Sequence, residues 1–217
     1  DQNSDQAILG FLDKCRSEGI PCDGFFMSSG YTTGKDGKRY VFNWNDDRFP
    51  DPQSFIERMH SKGAALAPNI KPGMLVTHPR YKEFDEAGAF IKNGQGEKSE
   101  TDRYWGGQAS FVDFTNPKGR ELWKKHLKES FIHLGVTSIW NDNNEYEINN
   151  PDALCEFEGD KKEISALRPI LPNLMAQMAK EAIAEAAPNT RPYIVNRAGF
   201  AGIQRFAQTW AGDNNTS

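Results

Sequence analysis

Ser138-Ile139-Trp140-Asn141-Asp142-Asn143-Asn144-Glu145 is a short apolar run that breaks off into a dense polar cluster. Read as a strand, it carries two carboxylates, Asp142 and Glu145, at its C-terminal end. The clearest helix of the chain comes just before it. Asn116-Pro117 supplies an N-cap and a first-turn proline, and Gly135 stops the segment. Between them Leu122, Trp123, Leu127, Phe131 and Leu134 recur at helical spacing. After the cluster, Pro169 opens a helix with Leu174, Met175, Met178, Ala182 and Ile183 inward. Tyr193-Ile194-Val195-Asn196-Arg197 is then a strand, and Phe206-Ala207-Gln208-Thr209-Trp210 a last short one.

Towards the N-terminus the same alternation continues. Asn3 or Ser4 caps a helix whose apolar positions are Ile8, Phe11, Leu12 and Cys15, and Gly19 ends it. Asp23-Gly24-Phe25-Phe26-Met27 reads as a short buried strand. Lys35-Asp36-Gly37-Lys38 is a hairpin-turn signal. Asp51-Pro52 starts a helix with Phe55, Ile56 and Met59 on one face, and Gly63 stops it. Ala64 to Ile70 is an apolar strand, Pro79 to Glu86 a shorter helix, and Gly88 to Gly107 a polar loop region. Phe111-Val112-Asp113-Phe114 looks like another strand.

Strand, polar loop and helix thus repeat. A helical crossover between strands implies a parallel sheet, and buried parallel strands are apolar along their length. Polar and aromatic residues gather just after the strands, which in a (β/α)8 TIM barrel is the catalytic face. Five or so strands are visible where eight are needed. The expectation is one catalytic barrel domain over 1–217, incomplete at both ends. A doubly wound open sheet is the rival, but no Gly-rich phosphate loop follows the first strand.

The composition narrows the function classes. The 217 residues are 37% hydrophobic and 12% aromatic, enough for a core, and the net charge is −4. Nucleic-acid and anionic-membrane partners need a basic face, so neither is expected. No apolar run approaches the roughly 20 residues of a membrane span. Cys15, Cys22 and Cys155 are odd in number and sparse, which argues against a disulfide framework. A cytoplasmic setting follows weakly, since a chain that starts without Met could have lost a leader. His60, His78, His126 and His133 have no ligand spacing, so no metal and no cofactor are expected.

The polar clusters suggest chemistry on sugars. Cleaving a glycosidic bond needs one carboxylate to attack the anomeric carbon and a second, protonated, to deliver a proton to the departing oxygen. Asp142 ends one strand. Asp213, in Trp210-Ala211-Gly212-Asp213-Asn214, follows another. Tryptophans supply flat faces for a pyranose ring, and Asn and Arg supply hydrogen bonds. On spacing alone these aspartates could equally be caps or solvated turns.

The motifs themselves are more specific. Trp140-Asn141-Asp142-Asn143-Asn144-Glu145 resembles the W-x-D-M-N-E segment of glycoside hydrolase family 31. Asn196-Arg197-Ala198-Gly199-Phe200-Ala201-Gly202-Ile203-Gln204-Arg205-Phe206 resembles its R-S-x-F-A-G-x-Q-R-Y segment, and Trp210 to Asn214 its W-x-G-D-N segment. Trp105-Gly106-Gly107 through Phe111-Val112-Asp113-Phe114-Thr115-Asn116-Pro117 is similar to its W-P-G…F-x-D-F-T-N-P stretch. The resemblance implies a retaining, metal-independent α-glycosidase acting on oligosaccharides or α-glycosides. It implies that Asp142 is the nucleophile, that Asp213 is the acid/base and that Arg197 binds sugar hydroxyls near Asp213. Trp140, Trp105 and Trp210 would wall the −1 pocket, and Glu145 would hold the nucleophile loop. Three positions depart from the family's pattern. Ser28-Ser29-Gly30-Tyr31 stands where Asp-x-Asp-Tyr is common, Lys71-Pro72-Gly73 where Asp-Pro-Gly is usual, and Asn143 where Met is usual. They leave open an α-xylosidase, an α-galactosidase-type enzyme, an α-glucosyltransferase and a non-catalytic carbohydrate-binding homologue. A partial barrel has open edges, so the isolated chain is expected to be inactive and prone to self-association.

Overall fold

The computed structural model describes residues 4–213. In chain order the elements begin with α1 (Asp5–Ser17), β1 (Gly24–Met27), α2 (Pro52–Ser61), β2 (Ala65–Ile70) and β3 (Gly73–Leu75). Next come α3 (Tyr81–Glu86), β4 (Asp102–Tyr104), β5 (Gly107–Phe111), α4 (Pro117–Ser130) and β6 (Ser138–Asn141). The last are β7 (Leu154–Cys155), β8 (Lys162–Glu163), α5 (Ile164–Leu167), α6 (Leu171–Ala186), β9 (Tyr193–Asn196) and β10 (Gln208–Thr209).

The helix starts follow local chemistry. Ser4 Oγ accepts from the Ala7 amide at 3.1 Å, Asp51 Oδ1 from Ser54 at 3.0 Å and Asn116 Oδ1 from Lys118 at 2.9 Å. Each such cap contributes about 1 kcal/mol. Asn3, the other capping candidate at α1, lies outside the described residues.

A parallel sheet in the order β1-β2-β6-β9-β10 forms the frame of the molecule. Parallel strands, the first four joined through α-helices, make it part of a (β/α) barrel. Its two faces differ. Met27, Leu66, Ile70, Ile139 and Ile194 point towards the helices and are at most 4% exposed. Alternate residues point the other way, towards the barrel axis. There Phe26 is 48% and Tyr193 44% exposed. Trp123, Phe131, Leu127, Met175 and Ile183 fill the helix layer. Gly119 lets α4 approach the loop before it, since a Cβ there would lie 2.2 Å from the Asp113 carbonyl oxygen.

Several expectations are corrected. Phe111 to Phe114 is not a strand of the parallel sheet. Phe111 ends β5, which pairs antiparallel with β3 and β4 in a separate three-stranded sheet; β4 falls within the region read as loop, and β5 starts at its last residue. Asp113 is instead a buried anchor. It accepts from the Thr115 amide and hydroxyl and from the Glu156 amide at 2.6–2.9 Å. The first strand is buried only at Met27, because Gly24 and Phe26 face the open axis. The long C-terminal helix starts at Leu171, with Pro172 in its first turn, rather than at Pro169. Lys35 to Lys38 does turn the chain, closing an isolated Thr33–Arg39 bridge without flanking strands.

Candidate active site

Asp142, Arg197 and Trp210 stand at the C-terminal ends of adjacent strands. The Asp142 amide donates to the Ile70 carbonyl at 2.9 Å, and the Arg197 amide to Asn141 at 3.0 Å. The ladder therefore runs one residue past each strand and fixes where these side chains start. Both continue the axis-facing alternation of their strands, so they project into the barrel mouth.

The Asp142 side chain is 10% exposed. Its Oδ2 accepts from Asn69 Nδ2 at 2.8 Å and from Lys71 Nζ at 2.5 Å. Burial alone would push its pKa up. The hydrogen bonds from Asn69 and Lys71, with the Lys71 charge, outweigh that and hold the carboxyl below its ordinary value. Asp142 is thus ionised near neutrality. Lys71 in turn is pushed below its ordinary pKa by burial, against the attraction of Asp142.

Arg197 joins the acidic residues. Its Nε meets Glu145 Oε1 at 2.7 Å, and its Nη1 meets Asp213 Oδ2 at 2.9 Å and Asp142 Oδ1 at 3.6 Å. One nitrogen thus faces both aspartates. Laid end to end, its two contacts cap the separation of Asp142 Oδ1 and Asp213 Oδ2 at about 6.5 Å, against roughly 5–5.5 Å between the carboxyls of retaining glycosidases. Asp213 is 88% exposed on its side chain. Asn214, the last residue of its motif, lies outside the described residues.

The turn after β6 is strained and pinned. Asn143 and Tyr146 have φ of 45° and 57°, in the left-handed region. The Tyr104 hydroxyl donates to the Asn143 carbonyl at 2.8 Å, the Ala198 amide to Asn144 Oδ1 at 3.0 Å, and the Tyr146 hydroxyl to Val112 at 3.0 Å. Tyr104 lies over Gly73, where any Cβ would meet its ring at 2.4 Å.

An open cleft of about 400 Å³ lies above this floor, lined by Tyr104, Trp105, Asn143, Glu145 and Arg197 among others. Trp105 is 53% exposed and forms one wall. The Lys71 ammonium and the Arg39 guanidinium approach its ring, 5.4 and 5.7 Å from the centroid. Trp140 and Trp210 sit differently. They pack edge to face at 5.7 Å, and Trp140 also meets Phe26 at 5.9 Å. Among the described residues no three His, Cys, Asp or Glu side chains converge as a metal site.

The structure thus brings Asp142, Glu145, Arg197 and Asp213 together, with Trp105 lining the same cleft as Glu145 and Arg197. Asn69 and Lys71 belong to the same cluster although sequence reasoning gave them no role. The available signal was their place at the end of an apolar strand, the position that supplies Asp142 and Arg197 elsewhere in the sheet.

Residues 1–217 match the family model described as the glycosyl hydrolases family 31 TIM-barrel domain. The chain is 30% identical over 207 residues to alpha-glucosidase 2 of Bacillus thermoamyloliquefaciens, covering 91% of this chain and 25% of that protein. It is 32% identical over 208 residues to human neutral alpha-glucosidase C, covering 90% of this chain and 22% of that protein. A Flavobacterium johnsoniae GH31 dextranase complexed with glucose superposes with a TM-score of 0.88 at 21% identity, over all of this chain and 27% of the dextranase. The chain spans about a quarter of the length of the curated relatives it matches.

Proposed function

Because the chain belongs to glycosyl hydrolase family 31 and carries sequence of its TIM-barrel domain, we propose that the protein containing it is a retaining α-glycosidase with Asp142 as nucleophile and Asp213 as acid/base. The observation that carries this reading is Arg197 Nη1, which faces both carboxylates at contact distances that keep them within one sugar's reach. Asp142 attacks the anomeric carbon as the bond to the leaving oxygen breaks. Asp213 gives that oxygen its proton, then takes one from the incoming water. Asp142 is buried, ionised and hydrogen-bonded, as a nucleophile should be. Arg197 orients both carboxylates and donates to sugar hydroxyls, and the exposed Trp105 ring offers an apolar face to the pyranose.

α-Glucosides are the first substrates to try, because two of the relatives are named alpha-glucosidases. α-Xylosides and transfer to a sugar acceptor use the same chemistry and belong in the same panel. The decisive measurement is proton NMR of the first sugar released by the full-length protein from an aryl α-glycoside. The α-anomer should appear before mutarotation, and a β-anomer first would overturn the reading.

The separate chain is proposed to be inactive, because Asp213 is almost fully exposed and Arg197 is the ion-pair partner that ties it to the site. Phe26 and Tyr193, exposed on the axis side of the sheet, favour its self-association. Size exclusion over a range of concentrations reads this, and a monomer at every concentration would count against it.

A further inference from the structure

Asp142 presents two unequal oxygens. Oδ2 accepts from both Asn69 Nδ2 and Lys71 Nζ, whereas Oδ1 has only the Arg197 nitrogen at 3.6 Å, too long for a hydrogen bond. The Lys71 ammonium also donates to Asn143 Oδ1, so one residue after β2 grips both the aspartate and the strained turn that follows it. Lys71 and Asp142 are 12% and 10% exposed on their side chains. Burying an ammonium costs several kcal/mol unless it is paired. Packing alone does not call for a lysine here, since an apolar or amide side chain would fill the same place without that cost.

We infer that Lys71 is a positioning residue for Asp142, holding the carboxylate ionised and turned so that Oδ1 is the attacking atom. This rests on the reading of Asp142 as nucleophile. An electron pair on Oδ1 forms the bond to the anomeric carbon. The bond to the leaving oxygen breaks, and that oxygen takes its proton from Asp213. In the second half water attacks the same carbon, Asp213 accepts its proton, and the pair returns to Asp142. Lys71 favours the carboxylate over the neutral ester, so it helps the second half most, where negative charge reappears beside it.

The groups facing Asp142 define what a pH profile reports. They are Lys71 after β2, Arg197 after β9, and Tyr104 on β4, with Arg39, Glu145 and Asp213 one contact further out. Of these, Lys71 and Arg197 carry the positive charge next to the carboxylate. Activity requires ionised Asp142 and is lost as pH falls through its pKa. Without Lys71 burial is less opposed, that pKa rises, and the acid limb moves to higher pH.

The test uses Lys71→Met and Lys71→Arg in the full-length protein with an aryl α-glucoside. Lys71→Met should shift the acid limb of kcat/KM up by about one pH unit. It should also lower kcat and KM together, as the glycosyl-enzyme accumulates. Lys71→Arg keeps the charge and should return the limb towards wild type. Should Lys71→Met fail to fold, Lys71→Gln reads the same limb. An acid limb that coincides with wild type in a folded, uncharged variant overturns the inference. Asp142→Asn, measured alongside, separates the two readings. Wild-type turnover there sinks the nucleophile assignment itself, whereas a dead Asp142→Asn with an unmoved Lys71→Met limb removes only Lys71.

Discussion

The two aspartates of the site are held in opposite ways. Asp142 is 10% exposed, and its Oδ2 carries two donors from the end of β2. Asp213 is 88% exposed and meets one guanidinium. The first is part of the core: Asn69, its partner, is 3% exposed, and the Asn69 carbonyl in turn accepts from the buried Tyr31 hydroxyl at 3.0 Å. The second is positioned by Arg197 alone among the ion pairs of the described residues. A nucleophile must be ionised and aimed before substrate arrives, so fixing it within the fold is useful. An acid/base gives its proton to the leaving oxygen and regains one from the incoming water, so it must stay open to that water.

Substitutions at the two positions should therefore differ in kind. Asp142→Asn should lower kcat by about 10⁴-fold or more for every leaving group, because no neighbouring carboxylate can take its place. Glu145, the nearest other acid on that turn, is engaged by Arg197 Nε. Asp213→Asn should depend on the leaving group, with losses of about 10²–10⁴-fold for sugar or alkyl leaving groups. For a dinitrophenyl glycoside, which departs without a proton, the first step should be close to wild type. Steady-state kinetics over a leaving-group series reads both. Equal slopes for the two variants would mean that the aspartates do not divide the roles as argued.

The buried wall was the harder one to read from sequence. Asp51-Pro52 and Asn116-Pro117 announce their helices because a cap and a first-turn proline act within four residues. Ser138 to Asn141 is legible as a strand because it is apolar and bounded by Gly135 and a polar cluster. Lys71 was visible only as an odd residue in a familiar place. Its meaning depends on Asp142, a partner 71 positions away, which no local pattern encodes. The three-stranded sheet was missed for a similar reason. β3 and β4 have three residues each, too few to show alternation, and what makes them strands is pairing with β5. Phe111 misled because an apolar residue before a helix cap looks alike at the end of either kind of strand.

Stability should show the same asymmetry in acid. His78 is 5% exposed. Its Nδ1 accepts from the Arg80 amide at 2.9 Å, so the proton sits on Nε2 and is donated to the Val41 carbonyl at 2.7 Å. Burial pushes its pKa down from 6.5 to about 4. A folded pKa below the unfolded one gives stability that is present above pH 6.5 and lost as pH falls to about 4. That shift corresponds to about 3 kcal/mol. Asp142, also held low, works in the same direction. Val41 lines the small cavity beside Lys71, so this titration falls on the Asp142 side of the site. Urea unfolding of wild type and His78→Gln at pH 7 and pH 4.5 should give a smaller acid loss in the variant. Parallel losses would mean that His78 titrates normally.

The smallest effect should come from Glu145→Gln. Glu145 is 34% exposed on its side chain, and its contact is with Nε, on the far side of the guanidinium from the nitrogen that meets both aspartates. A partly exposed ion pair contributes about 1 kcal/mol or less. Its loss still leaves Arg197 with Asp213 and Asp142. The expected cost is about tenfold or less in kcat/KM, with the leaving-group slope unchanged. Arg197→Met, which releases Asp213 altogether, should cost more and steepen that slope. If Glu145→Gln were as damaging as Asp213→Asn, the exposed aspartate would owe its place to the Glu145–Arg197 pair. The open wall of the site would then be as firmly built as the buried one.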